Sequence, residues 1–319
     1  MAATTPRTLR GASRAADAPD RIFRGSTRVL GWLVVGILIL IGIVLAVEGA
    51  EAFSTFGLAF VTGTTWDPVK DVYGALPYVF GTIASATIAL VIAVPIGILT
   101  AVYLAELAPR RVALPLTFMI ELLAAIPSVV FGLWGVFVLS PFLRATVEAW
   151  AVDTVGWIPI FAGPSFGVGL FAAGVILAIM ILPTIISISR EVIASIPNSH
   201  REAMFALGAT RWEVVTRAVL PAARSGIIGA IILGFGRALG ETMAVTMVIG
   251  NAQDIPTSIF GQSQTIASKI ATTFSEASVG IQTSSLIALG LILLVITVGL
   301  NIVARLLVAR AARGPIGAE

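Results

Sequence analysis

The sequence predicts an all-α polytopic membrane protein with six transmembrane helices and both termini in the cytoplasm. Three observations predict it: an apolar composition, six long runs nearly free of charge, and loops that alternate between basic and acidic. Of the 319 residues, 57% are hydrophobic and 12% charged, and the mean hydropathy is +1.01. A water-soluble domain carries roughly 25% charged residues, so a surface with half that charge needs lipid as its solvent.

A spanning helix needs about 20 apolar residues, because the hydrocarbon is about 30 Å thick and each residue rises about 1.5 Å. The first such run, Val29 to Val47, follows six arginines in a polar, Ala-rich leader. That leader, residues 1–24, is expected to lack fixed structure and lie in the cytoplasm. It has no short apolar region followed by a small-residue cleavage site at its start, so it reads as retained. The later expected spans are Val79–Leu104, Val112–Leu139, Ser165–Ser189, Gly226–Gly250 and Thr283–Arg305. One membrane domain therefore covers residues 25–310, followed by a cytoplasmic tail at 311–319. Pro95, Pro127 and Pro183 are expected to interrupt their spans, which lipid tolerates where neighbours or a water-filled cavity satisfy the freed backbone groups.

The chain up to Arg28, the 105–111 turn, the 190–225 loop and the chain from Arg305 onward hold 16 of the 20 basic residues. The intervening loops hold only Lys70, Arg144 and Lys269, with acids including Glu48, Asp67, Glu148, Asp153, Asp254 and Glu276. Cytoplasmic loops collect Lys and Arg, which places the first group inside. The outer loop 48–78 and segment 140–164 are candidates for docking an external protein, and equally for a structural lid. Trp66 and Trp157 read as members of an interfacial aromatic belt.

Several chemistries are excluded or weakened. Cysteine is absent and His200 is the single histidine, so thiolate chemistry and an imidazole relay have no basis. No metal site is expected, and His200, beside a turn, reads as capping or solvated. Neither lysine follows a Gly-rich phosphate loop ending Gly-Lys-Ser/Thr. The run from Gly234 to Gly240 is one residue too long at its last spacing for a dinucleotide fingerprint and has no βαβ context. A net charge of +3 on so apolar a chain does not point to nucleic acid.

The 190–225 segment reads as a helix–turn–helix at the cytoplasmic surface. Asn198 or Ser199 can cap a helix containing Glu202, Ala203, Phe205 and Leu207. Gly208 ends it where positive φ is needed. Thr210 caps a second helix over Trp212 to Val219, and Pro221 breaks the chain before the next span. The pattern fits a knob for a cytosolic partner, and it fits an amphipathic loop resting on headgroups.

Arg237 lies 11 residues beyond Gly226, about 16 Å along a helix, near the expected midplane. A charge there costs at least about 2.5–3.5 kcal/mol and must face protein or water. Glu241, four residues on, shares its face, and Gly236 with Gly240 forms a small-xxx-small pair that permits close helix approach. Two readings stand: a helix that lines a path, or an Arg–Glu pair that ties helices together. Glu121, about 13 Å into its expected span, is a second intramembrane candidate, or a residue at the helix entrance paired with Arg110 or Arg111.

Glu202-Ala203-Met204, Gly208 and Leu220-Pro221 resemble the EAA loop of binding-protein-dependent ABC importer permeases, with Met204 and Ala218 departing from the family pattern. Trp66-Asp67-Pro68, Gly74-Ala75-Leu76-Pro77 with Gly81-Thr82, Ala125-Ile126-Pro127-Ser128-Val129-Val130 and Gly236-Arg237-Ala238-Leu239-Gly240-Glu241-Thr242-Met243-Ala244-Val245 extend the likeness. Over residues 25–310 the chain resembles the C-type permease of the phosphate-specific transport system; the A-type partner shares several motifs. The resemblance implies a type I ABC importer permease fold in the cytoplasmic membrane that moves inorganic phosphate by alternating access. It implies a homologous A-type permease, two cytosolic ATPases and an extracytoplasmic phosphate-binding protein as partners. No cofactor is expected on this chain, since ATP and Mg belong to the ATPases. The implied pathway residues are Arg237, Glu241, Thr242 and Glu121, with Arg237 offering a bidentate cation to phosphate and Glu241 holding it when phosphate is absent. The implied ATPase-coupling residues are Glu202, Ala203, Gly208, Leu220 and Pro221. Rival readings are the A-type permease, a sulfate or molybdate permease, and a passive anion channel or sensor scaffold.

Overall fold

The computed structural model describes residues 13–312, and side chains from 21 to 306. Six helices are long and apolar enough to cross a membrane: Arg21–Glu48, Leu76–Leu107, Ser128–Val155, Leu170–Ala194, Arg211–Gly240 and Ile281–Leu306, here spans 1 to 6. Span 1 continues a helix that begins at Ser13, so residues 13–24 of the leader are helical rather than unstructured. Residues 1–12 and 313–319 lie outside the described residues. The chain up to Glu48 forms one compact unit and Gly49 onward a second.

Span 4 is the centre of the second unit and packs against spans 2 and 5. Its Ile176, Leu177, Ile181 and Ile185 are fully buried beside Ala86, Ala89 and Ala93 of span 2. Lipid is as apolar as leucine, so helices associate through close packing, and small residues permit it. A Cβ at Gly97 would sit 2.8 Å from Ile185 Cγ2, and one at Gly226 of span 5 would sit 2.5 Å from Val192 Cγ1. Gly236 and Gly240 have nothing within 4 Å of such a Cβ. The expected close approach at that pair is therefore made by Gly226 and Gly234 instead, and the 236–240 face is open.

At one end of span 2, Trp66, Tyr73 and Tyr78 join Phe60, Leu286 and Leu289 in a second core. At its other end, Ala101 joins Ile193, Val214, Val219, Ala223 and Ile227. A two-residue antiparallel ribbon pairs Trp66 with Tyr73. Trp66 is 5% exposed, which removes it from an aromatic belt; Trp157 remains exposed.

Of the expected proline breaks, the one at Pro127 forms and moves its span, while those at Pro95, Pro183 and Pro221 do not form. Pro127 ends the helix Arg110–Ala125 and starts a new one at Ser128, because proline drives the preceding residue out of helical geometry. The third span therefore runs Ser128–Val155, takes in Arg144 and much of the presumed outer segment 140–164, and leaves Glu121 on a separate helix. Pro95 and Pro183 ride inside their helices without ending them. Pro221 does not break the fifth span: a π-helical turn at Val215–Val219 precedes it and the helix runs on to Gly240. A widened turn shifts the bonding register and absorbs the proline's missing N–H.

Gly226→Leu is expected to lower the melting temperature of the purified protein by several degrees, since overpacking costs about 1–3 kcal/mol. Gly236→Leu, facing open space, should leave it unchanged. Equal melting temperatures for the two variants would contradict this packing.

Candidate functional site

Span 5 stops at Gly240, where Glu241 turns to extended geometry (φ −69°, ψ 127°), and a short helix Met243–Val248 follows. Arg237 thus occupies the last turn of the span rather than its middle. A cation suits that position, because the helix end presents unpaired carbonyls and a negative dipole end. Residue Arg237 is exposed, and its one hydrogen bond among the described residues is a 3.4 Å donation from Nη1 to Thr184 Oγ1 of span 4.

The break separates the two charges that one helical face was expected to unite. Among the described residues no ion pair joins Arg237 to Glu241. Glu241 Oε1 instead accepts from Ala244 N at 3.4 Å, a bond into the first turn of the short helix from the residue before its N-cap, Thr242. Thr242 Oγ1 donates to Gly240 O at 3.3 Å, and Thr242 O accepts from Thr246 N at 2.9 Å. Glu121 is exposed on Arg110–Ala125. No hydrogen bond or ion pair among the described residues links it to Arg110, Arg111, Arg237 or Glu241. Arg237, Glu241 and Thr242 are sequence neighbours about the end of span 5, and Glu121 lies on a different helix.

The second site is a helical hairpin. Glu202 and Ala203 lie exposed on the helix Asn198–Ala206. Pro197, not Asn198 or Ser199, occupies its N-cap, and no side chain caps it. Gly208 adopts φ +81° with nothing near its missing side chain, so the glycine serves the backbone turn. Thr210 starts the next helix with a reciprocal capping box: its Oγ1 accepts from Glu213 N at 3.4 Å, and Glu213 Oε2 accepts from Thr210 N at 2.9 Å. Such a cap is worth about 1 kcal/mol. Leu220 and Pro221 lie beyond the π-turn, inside span 5. Phe205, Leu207 and Trp212 are 48%, 84% and 73% exposed, an apolar surface that lies open on the hairpin.

Two charged groups escaped the sequence reading. Arg201 pairs with Glu106 at 2.6 Å, with side chains 15% and 11% exposed. A separation of 95 residues gives no local pattern to read. Lys269, counted as an outer-loop charge, is 4% exposed. Its Nζ sits 4.9 Å over the Trp66 ring and 5.4 Å over that of Tyr78, a cation–π cradle. Burial lowers its pKa to about 8.

Helices that break inside a bundle beside an open, cationic face define the class of this chain: a multi-pass membrane transport subunit. Residues 93–313 match the family described as "Binding-protein-dependent transport system inner membrane component", and the chain belongs to that family of inner-membrane importer permeases. It is 46% identical to the phosphate transport system permease protein PstC of Mesorhizobium japonicum, over 91% of this chain and 90% of that one. It is 44% identical to the protein of the same name from Haemophilus influenzae, over 91% and 93%. Among solved structures, it is similar to a chain of the inward-facing MetNI methionine ABC transporter at TM-score 0.58 and 18% identity, covering 78% of this chain and 100% of that one. A bacterial alginate ABC transporter gives TM-score 0.58 at 16% identity, covering 92% and 99%. These structures share the type I ABC importer permease fold with this chain.

Lys269 yields a pH prediction. Its folded pKa of about 8 lies below the ordinary 10.5, so the unfolded chain binds the extra proton between those values. Its contribution to stability therefore rises with pH across that window. The stabilisation gained by Lys269→Met should be largest below pH 8 and fade by about pH 10.5, read as the melting-temperature difference from wild type. A pH-independent difference would contradict the assignment.

Proposed function

We propose that this chain is the permease subunit of an ATP-driven phosphate importer, with both termini in the cytoplasm. The phosphate assignment draws on the relatives named above. The observation that carries the mechanism is the exposed guanidinium of Arg237 beside the open Gly236–Gly240 face. With a single long hydrogen bond to Thr184, most of its N–H groups have no partner within the described chain. A planar fork of donors matches two oxygens of an oxyanion. An open face of small residues on span 5 suits apposition to a homologous A-type permease, leaving the oxyanion path between them.

Glu241 acts differently from the expected counter-ion: by bonding into the first turn of Met243–Val248 it fixes the break that exposes Arg237, and Thr242 lines the same turn. The proposal does not need Glu121. Binding at Arg237 must stay weak enough for release, since conduction requires entry without trapping; tight selection belongs to an external phosphate-binding protein.

The hairpin 198–221 docks on a cytosolic ATPase through Glu202, Ala203, Gly208 and the exposed Phe205, Leu207 and Trp212. ATP binding closes two such ATPases and turns the path outward; hydrolysis resets it. ATP and Mg are assigned to the ATPases, because neither Lys70 nor Lys269 follows a Gly-rich loop ending Gly-Lys-Ser/Thr.

The test is uptake of radiolabelled phosphate by the complete importer in liposomes. Arg237→Ala should reduce ATP-driven uptake about tenfold or more, the value of a charged hydrogen-bond partner, with Arg237→Lys intermediate. Undiminished uptake by Arg237→Ala would remove the arginine from the path. Preferential uptake of sulfate or molybdate would reassign the substrate, and flux without ATP would favour a channel.

A further inference from the structure

Resting on the importer reading, we infer that Arg201 is a positioning residue that locks the coupling hairpin to the cytoplasmic ends of spans 2 and 4, so that hairpin movement becomes movement of the bundle. The guanidinium is saturated. Its Nε donates to both carboxylate oxygens of Glu106 at 3.2 Å, and Nη2 donates to Glu106 Oε1 at 2.6 Å. Nη2 also reaches Ile193 O at 3.1 Å, while Nη1 reaches Ile196 O at 2.6 Å and Asn198 Oδ1 at 3.3 Å. One side chain on the hairpin's first helix thus holds the end of span 2 and the last turn of span 4.

The partners explain why a guanidinium stands here. Ile193 lies in the final turn of Leu170–Ala194, where carbonyls lack helical partners and a cation is favoured. Glu106 lies in the π-helical turn Tyr103–Leu107 that ends span 2, and such widened turns recur at functional positions. Lysine, a point donor on a flexible stem, cannot reach Glu106, Ile193 O, Ile196 O and Asn198 Oδ1 at once. By contrast, the hairpin's other ion pair, Arg217 with Glu213 at 3.7 Å, has side chains 72% and 35% exposed and contributes little.

Mechanically, the covalent link from the hairpin's first helix to span 4 is Ser195–Pro197, and Met204 and Ala209 add apolar packing against the cluster that holds Ala101 and Ile193. A bend there would let the first helix, with Phe205 and Leu207, shift against span 4, whereas Trp212 already belongs to span 5. The Arg201–Glu106 fork bridges that bend and adds span 2, which itself packs along span 4. Hairpin and both helix ends then move as one body.

The test uses the whole importer in liposomes, measuring phosphate moved per ATP hydrolysed. Arg201→Met and Glu106→Ala should each lower that ratio about tenfold, within the range by which residues between two sites modulate coupling. Hydrolysis should stay within about twofold of wild type, Arg201→Lys should restore only part of the ratio, and the double variant should be no worse than either single one. Uptake and hydrolysis falling together, in proportion to assembled complex, would show a merely structural role and overturn the inference; so would additive effects in the double variant. A second readout does not depend on phosphate. Spin labels on Leu107→Cys and Leu207→Cys, in a chain without native cysteine, should keep one separation with and without ATP, and the separation should change with ATP once Arg201→Met is added. If the wild-type complex imports no phosphate, the functional reading fails, and the label separation still decides whether the hairpin is locked. A separation that changes with nucleotide in the Arg201-containing chain would overturn the lock.

Discussion

Within hydrocarbon no water is present to satisfy a broken helix, so a helix can stop there only where protein takes up its loose backbone groups. The architecture around Arg237 follows from how that constraint is met. Beyond Gly240, Glu241 bonds into the first turn of the short helix. Asn251 Nδ2 donates to Thr246 O at 2.8 Å while its Oδ1 accepts from Ser268 Oγ at 2.7 Å. Gly169 N donates to Val248 O at 2.9 Å, and Ser263 N donates to Ile249 O at 3.1 Å. With the segment stitched on every side, span 5 can end early and leave its last turn, with Arg237, beside an open face.

The two arginines that matter most differ in saturation rather than in chemistry. Arg201 spends all three nitrogens on protein acceptors and is mostly covered; a side chain so held has little freedom and transmits displacement. Among the described residues Arg237 makes one long hydrogen bond, and in the proposed mechanism its other donors serve a passing anion. Both sit at a helix end that favours a cation. A saturated fork behaves as a strut and an unsaturated one as a ligand.

Much of this was legible in the sequence. Apolar runs show six spans because lipid sets a length. The hairpin's turn is visible because Gly208 and the Thr210–Glu213 box have local signatures. What escaped depends on neighbours. Pro127 breaks a helix while Pro95 and Pro183 do not, a difference that the proline itself does not announce. Gly236 and Gly240 look like contact residues, yet span 4 meets Gly226 and Gly234 instead. Arg237 and Glu241 share a face only if the helix continues, and it stops at Gly240 where Glu241 turns extended. Arg201 and Glu106 meet across 95 residues, where spacing carries no information.

The central claim is that the Gly236–Gly240 face borders a water-filled oxyanion path that an ATPase opens and closes. Absence of cysteine makes single-cysteine labelling clean. In the assembled importer, Gly240→Cys should react with a membrane-impermeant thiol reagent at a rate that changes when nucleotide is trapped, and phosphate should slow that reaction. A Gly240→Cys thiol that stays unreactive in every nucleotide state, or reacts at one rate regardless of nucleotide and phosphate, would contradict the account.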